Sequence, residues 1–322
     1  MSQISLRTPA DLLAAAPCLL GFIPTNSLVI YLYQRTEGGT IGIYCAMRLD
    51  RTATIEQIAQ LPTHDVLSDG VVAATVIAIC DHHDDDHVAS LMDAVRDVLQ
   101  ASGIRVLHRL YTRNVTEAGQ WLDIDTGNYG QTYPYTDGQA TAEFVLNEGK
   151  QIRSSRQDIT ADFGYLPAAP QIDIADHDEL AANAQAEIAA ILQGATPITS
   201  PTLAARAGIA ITGHPAVRDA MIGLAVDHPA SAADLWTHIS RRLRGRPRAE
   251  ALTVAAACLC LDRDTIRAGI AVQAALAEAE STGTPRPGLA NLLEVALNSG
   301  INPAKIRDVL ITSTAGQPRR AH

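Results

Sequence analysis

Apolar residues in the first half of the chain form short continuous runs of the kind that become buried β-strands. The run Ser27–Tyr33 is β-branched and aromatic, and a Gly-containing turn separates it from a second run at Ile41–Leu49. Together the two runs predict a hairpin. Val71–Cys80 is apolar at nearly every position, so it predicts a strand at the centre of a sheet, covered on both faces.

A β–α–β unit is predicted after this central strand. Apolar residues recur at helical spacing from 88 to 99 and predict an amphipathic helix, which Gly103 ends. Ile104–Thr112 predicts the next strand, so the succession implies a right-handed parallel crossover. Trp121–Ile124 predicts another short strand, and 127–138, rich in Gly and Tyr, predicts a loop.

Shorter helices are predicted around these strands. Pro17 is expected to stop the first of them, because proline interrupts a helix interior. Ser155, with Asp158 three residues later, is typical of a helix start. The other helical segments are Ala10–Ala16, Thr54–Leu61 and Ala140–Ile152.

The pattern changes at Pro167 and Pro170, which mark the predicted domain boundary. Beyond them almost every apolar run has helical spacing, and the short loops predict antiparallel neighbours. The sequence therefore predicts an α/β domain with a mixed sheet and flanking helices (1–166), an all-α domain of helical hairpins (171–311) and a flexible tail (312–322). Helices are predicted at Asp176–Gln193, Thr202–Ala207, Pro215–Val226, Ala232–Leu243, Ala249–Leu261, Arg263–Glu280, Pro287–Ser299 and Pro303–Leu310.

Composition narrows the class of protein. A net charge of −10, from 25 basic and 35 acidic residues, argues against a protein that coats nucleic acid, although a local basic patch is compatible with it. No apolar run is long enough to cross a bilayer and no signal peptide is recognisable, so we expect a cytoplasmic protein without membrane partners. The five cysteines lie in apolar runs without Cys-x-x-Cys spacing and predict buried thiols.

The most unusual polar stretch is Asp-His-His-Asp-Asp-Asp-His at 81–87. It follows the predicted central strand, and the carboxyl ends of strands are where α/β folds bind ligands. His and Asp are ligands for zinc, manganese and iron, so a divalent metal is the one cofactor we consider. The alternative is a solvated cap on the following helix. The candidate metal ligands are Asp81, His82, His83, Asp86 and His87.

Polar residues at the ends of the hairpin strands are candidate ligand-binding residues. Asn26 and Ser27 interrupt two apolar segments and could place a side chain at a pocket rim. A simple turn is the alternative, since Asn and Ser favour turns. Arg48 and Asp50 end the second strand, where a local ion pair is the alternative to a ligand contact.

The segment 241–248 contains five arginines, with Gly245 and Pro247 among them, which predicts a loop between helices. Clustered arginines bind phosphates or acidic partners through paired hydrogen bonds. A solvated loop that offsets neighbouring acids is the alternative. The candidate residues are Arg241, Arg242, Arg244, Arg246 and Arg248.

Several motifs resemble the actinobacterial domain-of-unknown-function family 4192. The specific part is the opening, Asp11–Pro24 followed by Asn26–Val29; Met47–Asp50 and the closing segment 289–300 are also similar. The resemblance covers nearly the whole chain and implies the fold, but it implies no activity. Family members often carry cysteines where this chain has Trp121–Pro134, which contains none, so the role of those thiols is not expected here.

Sequence motifs for the familiar hydrolases and phosphate loops are absent, and scattered histidines such as His108 have no visible catalytic partner. Ala- and Leu-rich helical hairpins offer grooves for partner segments. The leading hypothesis is therefore a non-enzymatic interaction or regulatory protein that binds a protein partner through its helical domain. The alternatives are a metal- or nucleotide-dependent hydrolase or ligand-binding protein with its site at the strand ends, and a nucleic-acid-associated protein that uses the arginine-rich segment.

Overall fold

The computed structural model describes residues 6–35, 39–59, 61, 69–81, 86–146, 149, 151–173, 176–194 and 200–315. The chain divides into two compact units, Met1–Asp158 and Ile159–His322. The first contains a mixed six-stranded sheet and the second is built from helices. The predicted fold class is therefore confirmed.

Two short helices, α1 (Pro9–Ala14) and α2 (Ala16–Leu20), open the first unit. A capping box begins α1: the Asp11 N–H donates to Thr8 Oγ1 at 3.2 Å, and the Thr8 N–H donates to Asp11 Oδ2 at 2.9 Å. The first helix does end before Pro17, at Ala14 and two residues earlier than predicted, but a second helix follows almost at once. Pro17 lies in the first turn of α2, where no N–H is needed, so the chain resumes a helical path.

The strands and central helices follow the predicted order. The register of β1 with β2 and β3 is antiparallel, and β3 with β4 is parallel, which confirms the β–α–β unit. In space the strands lie in the order β2-β1-β3-β4-β5-β6. The elements are β1 (Ser27–Arg35), β2 (Ile41–Asp50), α3 (Ile55–Ala59), β3 (Val71–Ile79), α4 (Asp86–Ala101), β4 (Arg105–Thr112), β5 (Gly119–Asp123), β6 (Tyr129–Thr132), α5 (Gln139–Leu146) and α6 (Arg156–Ala161).

Two further predictions in this unit need correction. The segment predicted as a loop contains β6, which pairs with β5 and brings Gly130 beside Trp121. A Cβ at Gly130 would lie only 2.8 Å from Trp121 Nε1, so only glycine leaves room for the Trp121 ring beside this strand. Because glycine has a low strand propensity, the sequence pattern did not predict the strand. The helix predicted at Ala140–Ile152 spans only Gln139–Leu146.

The two faces of the sheet are covered differently. Side chains such as Leu28 and Val76 point to the face packed against α4. The opposite face carries Tyr31, whose hydroxyl donates to the carbonyl of Leu12 in α1 at 3.0 Å. Between Ala74 and Thr75 of β3, the pairing with β4 shifts by one residue, and the shift places His108 opposite Thr75.

Each helix predicted for the second unit has a counterpart. The most buried is α11, in which every residue from Ala251 to Leu261 is buried and which packs against several neighbours, as a central helix does. The last helix continues through 312–315, which we had expected in the tail, and 316–322 lie outside the described residues. The helices are α7 (His177–Leu192), α8 (Leu203–Gly213), α9 (Pro215–Leu224), α10 (Pro229–Arg241), α11 (Gly245–Leu261), α12 (Thr265–Ser281), α13 (Gly288–Asn298) and α14 (Pro303–Ala315).

No disulfide joins the five cysteines, all of which are described. Four of them are buried and Cys45 is partly buried, so the prediction of buried thiols holds in its main point. None of the helices in the described ranges is both long and apolar enough to cross a bilayer.

Candidate ligand-binding site

A cavity of about 590 Å³ lies over the face of the sheet opposite α4. Its floor is formed by side chains of four strands, among them Tyr33, Ile43, Thr75 and His108. Leu12 of α1 contributes to its wall. The volume falls in the range of pockets that hold small organic ligands. The cavity borders the amino ends of β3 and β4, whereas the strand-end site was predicted at the carboxyl end of β3.

His108 and Asp123 form a polar pair at this floor. His108 Nδ1 lies 2.8 Å from Asp123 Oδ2, and only 5% of the Asp123 side chain is exposed against 43% for His108. The other oxygen, Oδ1, accepts the N–H of Asp125 at 3.1 Å. Because the carboxylate can only accept, Nδ1 donates, and Nε2 is the nitrogen left for a ligand in the cavity.

Contacts of Arg109 hold the turn that follows Asp123 in place. Arg109 Nε donates to Asp125 Oδ1 at 2.9 Å, and the guanidinium also contacts Asp93 of α4. The hydrogen bond from Arg109 lowers the pKa of Asp125, so this carboxylate stays ionised. The turn after β5, and with it the Asp123 carboxylate, is thereby fixed to the sheet and to α4.

A second polar pair lies on the same floor. The Tyr33 hydroxyl donates to Thr75 Oγ1 at 3.1 Å. Burial raises the pKa of Tyr33 and outweighs the opposing effect of this hydrogen bond, so Tyr33 remains a neutral phenol. The cavity therefore has hydroxyl and imidazole groups on its floor and aliphatic side chains around them.

A smaller cavity of about 400 Å³ shares Leu6, Arg7 and Ala140 with the first. Here the Tyr133 hydroxyl donates to Asp11 Oδ1 at 2.6 Å. Burial raises the pKa of Tyr133 to about 12, with a contribution from Asp11. The two cavities thus form an apolar compartment and a more polar one beside it.

The structure brings the predicted ligand residues Ser27, Arg48 and Asp50 together. Arg48 Nε donates to Ser27 Oγ and Arg48 Nη2 to Asp50, each at 2.8 Å. Asp50 also accepts the N–H of Thr52 at 3.1 Å. Asn26 has φ +46°, a left-handed conformation that Asn tolerates in turns. These contacts match the turn and ion-pair alternatives, while a ligand role for the four residues stays a prediction.

Two of the predicted metal ligands, His82 and His83, lie outside the described residues. Asp81 pairs with Arg113 at 3.2 Å, and His87 Nε2 lies 3.0 Å from the carbonyl oxygen of Arg51. Asp86 begins α4. Among the described residues, no three His, Cys, Asp or Glu side chains are grouped as a metal would require.

The prediction that 241–248 forms a loop was wrong for its second half. Gly245 begins α11, and Pro247 lies in the first turn, where a missing N–H costs little. Arg241 is the last residue of α10, so only residues 242–244 connect α10 to α11.

Three of the predicted arginines bind groups of their own unit. Arg241 Nε donates to the Gly164 carbonyl at 3.0 Å, and Arg244 Nη2 donates to the Leu166 carbonyl at 2.6 Å. The guanidinium carbons of Arg244 and Arg248 lie 4.5 and 4.1 Å from the centroid of the Tyr165 ring. Arg242 and Arg246 are partly buried and exposed, respectively. Whether the cluster also binds phosphate or an acidic partner stays a prediction.

Sequence reasoning missed the residues on the cavity floor. In the sequence His108 is an isolated histidine, and Asp123 is only part of a short predicted strand. The available signal was a polar residue in each of two adjacent predicted strands, at Asp123 and His108, which a buried sheet rarely holds without a partner.

The fold and its cavity define an α/β unit with a covered sheet, followed in the chain by an all-helical unit. A family model described as a domain of unknown function, DUF4192, matches residues 9–304. Because the match covers most of the chain, this chain belongs to that family, and the resemblance seen in the opening motif is confirmed. No curated protein and no solved structure matches the chain.

Proposed function

We propose that the first unit binds a small molecule with an apolar body in the cavity over the sheet. The observation that carries this proposal is the His108–Asp123 pair on the cavity floor. A buried carboxylate that holds one imidazole nitrogen leaves the other nitrogen at a defined position for a ligand, as in many binding and catalytic sites. The proposal retains the ligand-binding alternative from the sequence analysis, but it places the site toward the amino ends of β3 and β4 and not at the carboxyl end of β3.

The experiment is a screen of small organic molecules by ligand-observed NMR, with two matched variants. Ile41 lines the cavity and Ile55 does not, yet their exposed fractions are nearly equal, 47% and 49%. Ile41→Trp should fill the mouth of the cavity and remove binding, whereas Ile55→Trp should retain it. The proposal would be contradicted if no molecule bound, or if the molecules that bind did so with equal affinity to the Ile41→Trp and Ile55→Trp variants.

A second proposal retains the leading hypothesis from the sequence, partner binding through the helical domain. Its support is a pair of large apolar side chains on α13, Leu292 and Val295, which are 69% and 63% exposed. They are three residues apart and therefore share one face of the helix. We propose that this face packs against an apolar face of another protein chain, since exposed apolar patches commonly mark such contacts.

Site-specific photo-crosslinking in the cell of origin tests this second proposal. A photoreactive residue at 292 should give a discrete protein crosslink that Val295→Glu removes. The same residue at Glu280, an exposed polar position on α12, should give none. Equal crosslinking at the two positions would mean that the α13 face has no specific partner.

We propose a cytoplasmic location as part of this function. Five cysteines without a disulfide support it, because thiols of this kind suit a reducing compartment. The family resemblance suggests an actinobacterial source, which we include in the same proposal.

A further inference from the structure

The cavity over the sheet differs in charge from the chain as a whole. The chain has 35 acidic and 25 basic residues, yet among the described residues that line this cavity there are Arg7 and His108 and no aspartate or glutamate. A cavity with basic side chains and no carboxylate in its lining favours a negatively charged ligand over a neutral or positive one.

Two carboxylates lie beside this lining, and neither alters the preference. Asp11 already accepts hydrogen bonds from the Tyr133 hydroxyl and from the N–H groups of Arg7 and Thr8. The second is Asp123. Its side chain is buried beneath His108, and both of its oxygens already accept hydrogen bonds, from His108 Nδ1 and from the Asp125 N–H. A ligand therefore meets the imidazole edge of His108 and not the acid. When His108 is protonated, Nε2 donates, and a carboxylate in the cavity is the acceptor that this N–H fits.

Much of the remaining lining is aliphatic, although it also contains Thr8, Thr40 and Thr75. Leu12 and Leu19 from the helices and Ile43 and Leu107 from the strands supply the apolar part of the lining. Tyr33 is the one aromatic residue among the described residues of the lining. Such a surface favours an aliphatic ligand body, because its burial removes apolar surface from water without requiring a polar partner.

We propose that the ligand of this cavity is an aliphatic carboxylic acid, with its carboxylate received by Arg7 and His108. This inference rests on the proposed function, since it names the class of molecule that the cavity binds. It predicts that charge at the polar end, and not only the apolar body, determines affinity.

The test is calorimetric titration of the full chain with three probes of equal length, decanoate, decanol and decylamine. Decanoate should bind roughly ten-fold more tightly than decanol, as expected for charge-assisted hydrogen bonds, and decylamine should bind most weakly. Arg7→Gln and His108→Gln should each weaken decanoate binding several-fold and leave decanol binding nearly unchanged. Arg113→Gln, which removes an exposed arginine paired with Asp81 outside the cavity lining, is the matched control.

The outcomes separate this inference from the proposed function. Decanol or decylamine binding as tightly as decanoate, with sensitivity to Ile41→Trp, would overturn the anion preference and leave ligand binding in place. If neither Arg7→Gln nor His108→Gln changed the affinity for decanoate, the proposal that these two residues receive the carboxylate would be wrong. If none of the probes and no member of the small-molecule screen bound, both proposals would be wrong.

Discussion

Arg248 and Glu278 form a buried ion pair in the helical unit, with Arg248 Nε 3.1 Å from Glu278 Oε2. The same carboxylate accepts the N–H of Gly245 at 2.6 Å and a hydrogen bond from the Tyr165 hydroxyl. Arg248 also donates to the carbonyls of Ser240 and Phe163 at 2.8 and 2.6 Å. One pair of opposite charges therefore ties α11 to α12 and to the segment before α7.

We expect Arg248→Ala to destabilise the protein by about 3 kcal/mol, because it leaves the Glu278 carboxylate buried without its cation. Arg246→Ala, on the exposed side of the same helix turn, should change the free energy of unfolding by less than about 0.5 kcal/mol. Urea unfolding followed by circular dichroism measures both. Similar losses of unfolding free energy in the two variants would show that the buried ion pair contributes no more to stability than an exposed arginine does.

The tautomer of His108 can be observed directly. Because the Asp123 carboxylate accepts from Nδ1, neutral His108 should carry its proton on Nδ1 and a lone pair on Nε2. Long-range proton–nitrogen NMR correlations distinguish the two tautomers. Asp123→Asn should abolish the preference, whereas Asp97→Asn, an exposed acid on α4, should preserve it. An Nε2-protonated ring in the wild type would contradict the proposed geometry.

Asp11 should make the stability of the first unit depend on pH. Burial raises its pKa, but hydrogen bonds from Tyr133 and from the backbone N–H groups of Arg7 and Thr8 outweigh burial and lower the pKa below its ordinary 3.8. A lowered folded-state pKa adds stability above pH 3.8 that is lost as the pH falls through the folded value.

Asp11→Asn should therefore cost about 1 kcal/mol at neutral pH, as loss of a helix cap typically does, and the difference from wild type should shrink below pH 3.8. Urea unfolding at a series of pH values measures it. Asp137→Asn, at an exposed position, is the control and should show no such dependence. A constant difference at every pH would show that the Asp11 charge is not involved.

The thiols should be unreactive in the folded protein. Burial raises the pKa of Cys45 and that of Cys260 to about 12, from an ordinary 9.0, and raises the pKa of Cys258. At pH 8 a shift of this size leaves about a thousand-fold less thiolate, the form that reacts. Iodoacetamide labelling followed by mass spectrometry should be slow in buffer and fast in urea. Equal rates at Cys45 in both conditions would contradict the buried placement.

The sequence predicted most of the fold because its elements are locally consistent. β1 and β3 are continuous apolar runs, and the amphipathic spacing of α4 leaves one interpretation. β6 was missed because Gly, Asn and Gln favour loops, and only contact with β5 makes Tyr129–Thr132 a strand. The start of α11 was missed because Gly245 and Pro247 are loop signals that a first helical turn also accepts.

The candidate site was harder to predict, for a reason visible in β4. Alternation places every second residue on one face, so counting from Val106 puts His108 on the face toward α4. The one-residue shift in the pairing with β3 reverses this, and His108 lies opposite Thr75 on the cavity side. No local pattern in the sequence reveals a bulge. The partner Asp123 also comes from a strand fifteen residues later along the chain.

Part of the cavity wall is formed by α1, a helix of only six residues that two tyrosines bind. Tyr31 reaches up from the sheet to the Leu12 carbonyl, and Tyr133 binds Asp11 from the other side. So short a helix does not persist on its own in water. We therefore expect this part of the cavity wall to open at a lower free-energy cost than the sheet beneath it, because two phenol hydrogen bonds and the packing of one short helix hold it in place.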